Sequence, residues 1–148
     1  MNMEKQVKDI FVESAINPTF IANSIAHHSA KTDIGAHSIF LGQIRSDIIE
    51  GKAVAAIEYT AYEEMALQKM HEIREKAFVD FELTCMHVYH SLGEVKAGAI
   101  CLFVFTSSKH RRMAIDACSW IVEQIKSELP IWGKEIFEDH THQWKTNS

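Results

Sequence analysis

The stretch AICLFVF, residues Ala99–Phe105, is apolar at every position. A strand with one solvent-exposed face alternates apolar and polar residues, so this unbroken run predicts a strand that is covered on both faces. The hydroxyl residues Thr106–Ser108 follow, and they are predicted to cap the N-terminus of a helix over His110–Glu128. That helix is predicted to end before Pro130, because proline disfavours the helical conformation of the residue that precedes it.

Outward from this strand, helical and extended patterns alternate along the chain. Apolar residues at helical spacing predict two further helices, Asn17–Ser29 and Glu63–Phe81. A polar loop over 45–52 and a turn over 93–98 separate the extended segments. The predicted strands are Lys8–Glu13, Gly35–Ile44, Ala53–Tyr62 and Leu83–Leu92, with a closing hairpin of Lys134–Asp139 and His142–Lys145. The predicted fold class is therefore α+β, a mostly antiparallel sheet backed by helices with additional small β structure.

Composition places the chain among globular proteins. Its 148 residues are 47% hydrophobic and 24% charged, which predicts one domain over residues 1–148 and excludes wholesale disorder. The formal net charge of −5 argues against nucleic acid as a partner. No apolar run reaches the roughly 20 residues of a membrane span, and Met1–Lys5 is polar with no apolar segment behind it. We therefore expect no membrane partner, no secretory signal and a cytoplasmic location.

A basic segment marks the entry to the long helix. Residues 109–112 (KHRR) stand where the helix begins, and the free N–H groups and positive dipole end of a helix N-terminus favour an anion. A guanidinium such as that of Arg111 adds paired N–H donors, which can bind two oxygens of one phosphate or carboxylate. An ordinary capped helix with solvated basic side chains explains the same residues, and chemistry alone leaves both interpretations open.

Two lysines and an arginine form further candidates. Lys126 falls in the last turn of the long helix, and Lys134 follows the bend at 130–133. A lysine near a helix C-terminus ordinarily compensates the helix dipole, whereas a partly buried lysine with a lowered pKa acts as a general acid, a general base or a nucleophile. Arg45 ends a predicted strand, where its guanidinium either covers a pocket or pairs with a surface carboxylate.

The histidines and cysteines indicate no metal site. His87 and His90 are three apart on a predicted strand and so face opposite sides, and the adjacent pair His27–His28 diverges on a helix. The best remaining pair, His140 and His142, falls short of the four ligands of a zinc site. The cysteines at 85, 101 and 118 have no zinc or redox spacing, and they are predicted to be buried thiols in a reducing compartment.

Four segments of the chain, in this order, resemble the large, catalytic subunit of molybdopterin synthase, the MoaE family. They are Gly35–Arg45, Ser91–Gly98, Thr106–Arg111 and Lys126–Glu135. The most specific pieces are the S-x-H-R-like entry to the long helix and the K-x-x-x-P-[IF]-W-x-K-E element. Each is weak alone, but together they have compatible spacing over one domain-sized chain.

The resemblance implies an α/β hammerhead-like fold, a homodimer and a sulfurtransferase. A small ubiquitin-like sulfur-carrier subunit docks at each end of the family's dimer to give a heterotetramer, and its C-terminal Gly-Gly thiocarboxylate threads into the active site. The implied substrate is cyclic pyranopterin monophosphate, on which two sulfur transfers form the dithiolene of molybdopterin. No metal or other cofactor is implied for this subunit, since molybdenum is inserted later by other proteins.

The resemblance also assigns roles to residues. Lys126 matches the family's essential helix lysine, and Glu135 matches an acidic residue that orients the lysines. Arg45, His110 and Arg111 match positions that bind the pterin phosphate in the family. Part of this binding takes place across the dimer interface. The implied substrate-binding residues are Gln43, Ile44, Arg45, His110, Arg111, Lys126, Gly133, Lys134 and Glu135.

One departure from the family concerns Gly133. Many members carry the second functional lysine directly after the tryptophan, where this chain has Gly133 followed by Lys134. We therefore predict Lys126 and Lys134 as the catalytic pair, with Lys134 swinging into the role through the backbone freedom of glycine. Otherwise the role of the second lysine falls to another group. The alternative is a non-catalytic module of the same fold that binds a phosphorylated ligand or a carrier tail without turnover.

Overall fold

The structure, a computed structural model, describes residues 8–146. The segment Met1–Lys5 and both ends of the predicted domain lie outside the described residues. The helices within them are α1 (Pro18–His27), α2 (Glu63–Asp80) and α3 (Arg111–Glu128), and a 3-10 turn covers His28–Ala30. The strands are β1 (Phe11–Glu13), β2 (Ala36–Gln43), β3 (Ile48–Ile49), β4 (Lys52–Ala61), β5 (Leu83–Lys96), β6 (Ile100–Ser108), β7 (Ile131–Phe137) and β8 (His142–Trp144).

The strands form one sheet in the order β2-β6-β5-β4-β7-β8, and each neighbouring pair in that order is antiparallel. β1 pairs with β5 in parallel, and the short β3 pairs with β4. β5 joins the two halves of the sheet, because its first residues pair with β6 and its last residues pair with β4. The predicted α+β class and the mostly antiparallel sheet are confirmed.

β6 is covered on both faces, as its sequence predicts. Leu102 and Val104 pack into the main core together with residues of α2 and α3, whereas Phe103 and Phe105 pack on the opposite face with Ile21 of α1. These four β6 side chains are 0% exposed. Burying that much apolar surface fixes both the strand and the layers on either side of it.

The predicted turn over 93–98 is wrong for its first four residues. β5 continues through Gly93 to Lys96, and the turn is confined to Ala97 and Gly98. Gly93 has φ of 80°, and a Cβ there would lie 2.6 Å from a carboxylate oxygen of Glu13. Glycine is therefore favoured inside this strand for its left-handed backbone, whereas the flexible Glu13 side chain could move away from a Cβ.

The prediction that Thr106–Ser108 caps the long helix is also wrong. These residues belong to β6, because β2 and β5 pair with the strand on both sides as far as Ser108. The Thr106 hydroxyl donates to the carbonyl of Ala114 at 2.7 Å, and the Ser108 hydroxyl donates to the carbonyl of Glu82 at 2.6 Å. His110 occupies the N-cap of α3 without a side-chain hydrogen bond to the helix.

Two further boundaries differ from the sequence-based prediction. β7 begins at Ile131, three residues before the predicted start, because pairing with β4 begins opposite Ala61. The predicted loop over 45–52 contains the two-residue strand β3. Asn17, where the first helix was predicted to start, is the N-cap of α1, and its side-chain oxygen accepts from the backbone N–H of Thr19 at 2.8 Å. None of the described helices is long and apolar enough to cross a membrane.

Candidate functional site

A cavity of about 290 Å³ lies where the end of β2, the strands β4 and β7, and the end of α3 come together. Charged side chains from four segments of the chain share it. They are Arg45 and Asp47 after β2, Lys126 on α3, Glu135 on β7 and Lys145 after β8. Three cations and two carboxylates therefore line one cavity in a chain whose formal net charge is −5. Such a local excess of positive charge attracts anions.

Lys126 is held at this cavity by the packing and termination of α3. Ile125 beside it is buried in the main core, and Leu129 leaves the helix with an extended ψ of 134° before Pro130. The lysine therefore stands in the last helical turn, as predicted. It also reaches a second, adjoining cavity of about 20 Å³, which Gly133 and Lys145 line as well.

Glu135 is a buried carboxylate in this basic surrounding. It is 5% exposed and belongs to the β7 face that also buries Gly133 and Phe137. Its Oε1 accepts a hydrogen bond from the side-chain amide of Gln143 at 3.1 Å. A buried carboxylate is costly without donors or cations around it, and Arg45, Lys126 and Lys145 are the cations that this cavity offers.

Two residues that line the second cavity, Tyr59 and His90, are uncharged. Burial, together with Cys101 and Glu135, raises the pKa of Tyr59, whose hydroxyl donates to the Cys101 sulfur at 3.7 Å. The ring of His90 packs edge-on against Tyr59 with centroids 5.0 Å apart. Burial lowers the pKa of His90 to about 4 despite its hydrogen bond to the Ser91 carbonyl, and the positive charge of Lys126 acts in the same direction. Phenol and imidazole are therefore both neutral at pH 7.

The predicted residues Gln43, Ile44 and Arg45 all line the cavity. The pairing of β2 with β6 shifts register between Gly42 and Gln43, and such a bulge redirects the side chains that follow it. Ile44 is buried and its N–H donates to the carbonyl of Ala99 at 3.0 Å, so it anchors the segment. The Arg45 side chain is 70% exposed, and its Nη2 lies 3.3 Å from a carboxylate oxygen of Asp47.

Lys145 is a candidate that the sequence reasoning missed. Its backbone N–H donates to the carbonyl of Gly133 at 2.8 Å, and its side chain lines both cavities beside Lys126. The hairpin of β7 and β8 fixes this position, since Lys134 pairs with Trp144. The hairpin itself was predicted, but the register that brings Lys145 to Gly133 was not.

Gly133 lines the second cavity, at a crowded position of β7. A Cβ at this position would lie 3.0 Å from a methyl carbon of Ile57 and 3.2 Å from the Tyr59 ring. The residue sits within the regular strand β7 and does not have a positive φ. The predicted use of glycine's backbone freedom is therefore wrong, because Gly133 is a regular strand residue at which a Cβ would crowd the side chains of Ile57 and Tyr59.

Lys134 is not brought to the cavity. Successive strand residues point to opposite faces, so the lysine between Gly133 and Glu135 faces away from Lys126. Its Nζ lies 3.1 Å from a carboxylate oxygen of Glu58 and 5.9 Å from the centre of the Trp144 ring. The structure thus gives Lys134 an ion pair on the outer face of β7.

His110 and Arg111 are exposed at the other end of α3. Fifteen residues separate Arg111 from Lys126, which corresponds to about 22 Å along a helix at 1.5 Å per residue. Within one chain these two residues therefore do not share the cavity of Lys126. The hairpin pair His140 and His142 does not form a metal-ligand group with Asp139, whose carboxylate instead accepts from Thr141 and pairs with Lys52.

Comparison with protein-family models gives a match to the family described as MoaE protein, over residues 13–128. A molybdopterin synthase catalytic subunit from Pyrococcus abyssi is 32% identical over 139 residues, which cover 94% of this chain and 86% of that protein. A relative of the same name from Drosophila pseudoobscura pseudoobscura is 37% identical over 93% of this chain. The chain spans 37% of the length of that longer relative.

Two solved structures share the fold. Molybdopterin synthase from Staphylococcus aureus superposes with a TM-score of 0.79 at 27% identity, covering 95% of this chain and 99% of that one. A complex of subunits 1 and 2 of molybdopterin-converting factor from Helicobacter pylori 26695 also gives 0.79, at 18% identity over 92% of this chain and 88% of that one. At 18% identity the second likeness concerns the fold alone.

Proposed function

The chain belongs to the MoaE protein family, the family of its molybdopterin synthase catalytic-subunit relatives, and from this premise we propose that it is a sulfurtransferase of molybdenum cofactor biosynthesis. It takes sulfur from the C-terminal thiocarboxylate of a small carrier subunit and delivers it to cyclic pyranopterin monophosphate, forming the dithiolene of molybdopterin. The observation that carries the proposal is the convergence of Arg45, Lys126 and Lys145 on one cavity that also contains the buried Glu135.

The charges of the cavity suit both reactants. The thiocarboxylate and the phosphate are anions, and ammonium and guanidinium groups bind them by charge-assisted hydrogen bonds. Transfer of sulfur to carbon builds negative charge and requires protons to move, which the Lys126 ammonium group supports as an electrostatic partner and proton donor. The Glu135 carboxylate lines the same cavity as Lys126 and Lys145, where it would orient their amines. The reaction needs no metal or other cofactor from this subunit.

A second amine is provided by Lys145 in this proposal. The lysine that many relatives carry after the tryptophan is absent here, and a longer side chain at Gly133 would press on Ile57 and Tyr59. Lys145 is hydrogen-bonded to Gly133 through its backbone and lines the same two cavities as Lys126. The role of Lys134 stays a prediction, and its ion pair with Glu58 favours Lys145 over it.

The site is completed by a second copy of the chain. Within the described residues, β2 pairs with β6 on one side and with no strand on the other, and its Ile39, Phe40 and Leu41 are exposed. A two-fold antiparallel pairing of two β2 strands would bring the start of one copy's β2 to the end of the other's. Because Ala36 pairs with Ser108, the start of α3 would then lie beside the second copy's Arg45.

This arrangement accounts for the two distant sets of predicted residues. His110 and Arg111 of one copy and Arg45 and Lys126 of the other would hold one phosphate-bearing substrate between them. One carrier subunit at each of the two sites gives a heterotetramer. The complex of two molybdopterin-converting factor subunits in the Helicobacter pylori structure supports such a partner for a chain of this fold.

Reconstitution tests the proposal directly. The purified chain is mixed with a thiocarboxylated small carrier and cyclic pyranopterin monophosphate, and the dithiolene product is measured with a Lys126→Ala chain in parallel. Product from the native chain that is lost in Lys126→Ala is the expected result. Carrier binding without product from the native chain would contradict the proposal and favour the alternative of a non-catalytic binding module.

A further inference from the structure

A cluster of two histidines and a cysteine lies on the sheet face opposite the cavity of Lys126. His28 opens the 3-10 turn after α1, and Cys85 and His87 lie two residues apart on β5, so both point to the same side of the strand. The three potential ligand atoms all lie within 4.8 Å of one another. Sequence spacing concealed the cluster, because His28 comes from a segment 57 residues before Cys85.

The two faces of β5 separate this cluster from the sulfur-transfer site. Phe105, which belongs to the α1 side of the sheet, has its ring centre 4.8 Å from that of His28 and 6.2 Å from that of His87. His90, three residues along β5, packs against Tyr59 on the other side. The cluster is therefore not part of the cavity that Lys126 and Glu135 line.

The two imidazole nitrogens of the cluster already have the spacing of ligands to one transition-metal ion. The Nε2 atoms of His28 and His87 are 3.1 Å apart, close to the roughly 3.3 Å that separates two nitrogen ligands in tetrahedral zinc coordination. Nδ1 of His28 lies 2.7 Å from the Ser24 carbonyl, to which it donates. Metal-bound histidines commonly make this outer hydrogen bond, which leaves Nε2 as the electron-pair donor.

The cysteine sulfur already has a cationic neighbour. The Nζ of Lys31 donates a hydrogen bond to Sγ of Cys85 at 2.9 Å. Cys85 is buried whereas Lys31 is exposed, so the lysine has solvent to move into when a metal ion takes its place. Binding then releases any proton that the thiol still carries to the solvent.

An approach to the cluster exists beside His87. This half-buried residue lines a cavity of about 520 Å³, together with Lys8, Asp9 and Arg74. Of the three residues, His87 lines this cavity, so a solvent molecule that completed a four-coordinate site would enter from its side, as in zinc sites that are not closed.

We propose that His28, Cys85 and His87 bind one zinc-class divalent ion, which ties the 3-10 turn after α1 to β5. Two imidazoles and one thiolate are ligands that Zn²⁺ and Co²⁺ share. The ion has no part in sulfur transfer in this proposal. The cluster therefore constitutes a second site, which the family membership of the chain does not assign.

Cobalt spectroscopy of the untagged, chelator-treated full chain tests the proposal. We expect one Co²⁺ per chain, with the visible bands of tetrahedral cobalt and a sulfur-to-cobalt charge-transfer band in the near ultraviolet. Cys85→Ser should abolish the charge-transfer band, and His87→Gln should weaken Zn²⁺ binding by more than about 100-fold, since changes even outside the ligand shell cost 10–100-fold. Matched controls are Cys118→Ser and His27→Gln, which should leave the spectrum and the affinity unchanged.

Circular dichroism checks that each variant folds. If Cys85→Ser disturbs the core, His87→Gln still tests the proposal, because His87 is only half-buried. Zn²⁺ should also raise the midpoint of thermal unfolding of the native chain but not of His87→Gln. Failure to bind Co²⁺ stoichiometrically, or a charge-transfer band that survives in Cys85→Ser, would overturn the proposal and leave a plain hydrogen bond between two histidines.

Discussion

The two faces of β7 carry lysine chemistry of different kinds. On the inner face, Gly133 and Glu135 border the cavities that Lys126 and Lys145 share. On the outer face, Lys134 pairs with Glu58 and lies next to the Trp144 ring. Lys134 is adjacent in sequence to both inner residues, yet strand alternation directs it away. Position in the sheet, and not nearness to a sequence motif, therefore decides which lysine is available for chemistry.

The largest effect is expected at Lys126 on the inner face. Lys126→Ala should lower the rate of dithiolene formation by about 10²–10⁴-fold, the usual contribution of a positioned proton donor. Lys126→Arg keeps the positive charge but is a poor proton donor, so it should restore substrate binding and leave the rate low. Single-turnover rates and substrate affinities measure the two effects separately. Equal rates for Lys126→Arg and the native chain would show that Lys126 does not act by proton transfer.

A mixed-dimer experiment extends the comparison to the second copy of the chain. Arg111→Ala and Lys126→Ala chains are each expected to be nearly inactive. Random pairing of equal amounts should recover about a quarter of the native activity, because half of the dimers are mixed and each holds one intact site. Co-purification through two different tags isolates the mixed dimer. Activity that stays at the level of the separate variants would show that each site is built within one chain.

The buried His90, which lines the second cavity, predicts a pH dependence of stability. The pKa of His90 is about 4 in the fold, below the ordinary value of 6.5, so the fold favours neutral imidazole. The unfolded chain therefore gains a proton first as the pH falls, and this stabilisation is present above pH 6.5 and lost toward pH 4. It amounts to roughly 1–3 kcal/mol.

Urea unfolding of the native chain and of His90→Asn, measured across that range, isolates this contribution. Carboxylates elsewhere titrate equally in both proteins, so their effects cancel in the difference. The stability gap between the two should be largest above pH 6.5 and should narrow toward pH 4. A gap that stays constant with pH would mean that His90 contributes through packing and not through its protonation state.

The smallest effect is expected on the outer face. The side chains of Lys134 and Glu58 are 28% and 40% exposed, and exposed ion pairs contribute about 0.2–1 kcal/mol. A double-mutant cycle of Lys134→Ala and Glu58→Ala should therefore give a coupling energy below about 1 kcal/mol that shrinks as salt is added. A larger, salt-independent coupling would indicate that this pair is an organised part of a site.

Much of the fold followed from local sequence patterns. The unbroken apolar run of β6 predicted its coverage on both faces, and the helices α2 and α3 followed from apolar spacing and from Pro130. The boundaries that failed depend on partner strands. Thr106–Ser108 resemble helix caps locally, but β2 and β5 hold them in the sheet.

The sequence predicted less of the site than of the fold. Arg45, Lys126 and Glu135 lie on elements whose ends the sequence marks, and they meet at one cavity. Lys145 enters only through the register of the β7–β8 hairpin, which local patterns do not fix. The orientation of Lys134 was obscured because β7 buries the charged Glu135 and so breaks the usual alternation of apolar and polar residues.

The measurement that tests the account most directly compares Lys145→Ala with Lys134→Ala in the reconstituted sulfur-transfer reaction. Loss of the inner-face amine in Lys145→Ala should lower the single-turnover rate by at least about tenfold. Loss of the outer-face ion pair in Lys134→Ala should change it by less than about twofold. The reverse order, with Lys134→Ala slow and Lys145→Ala near the native rate, would contradict the assignment of function to the inner face of β7.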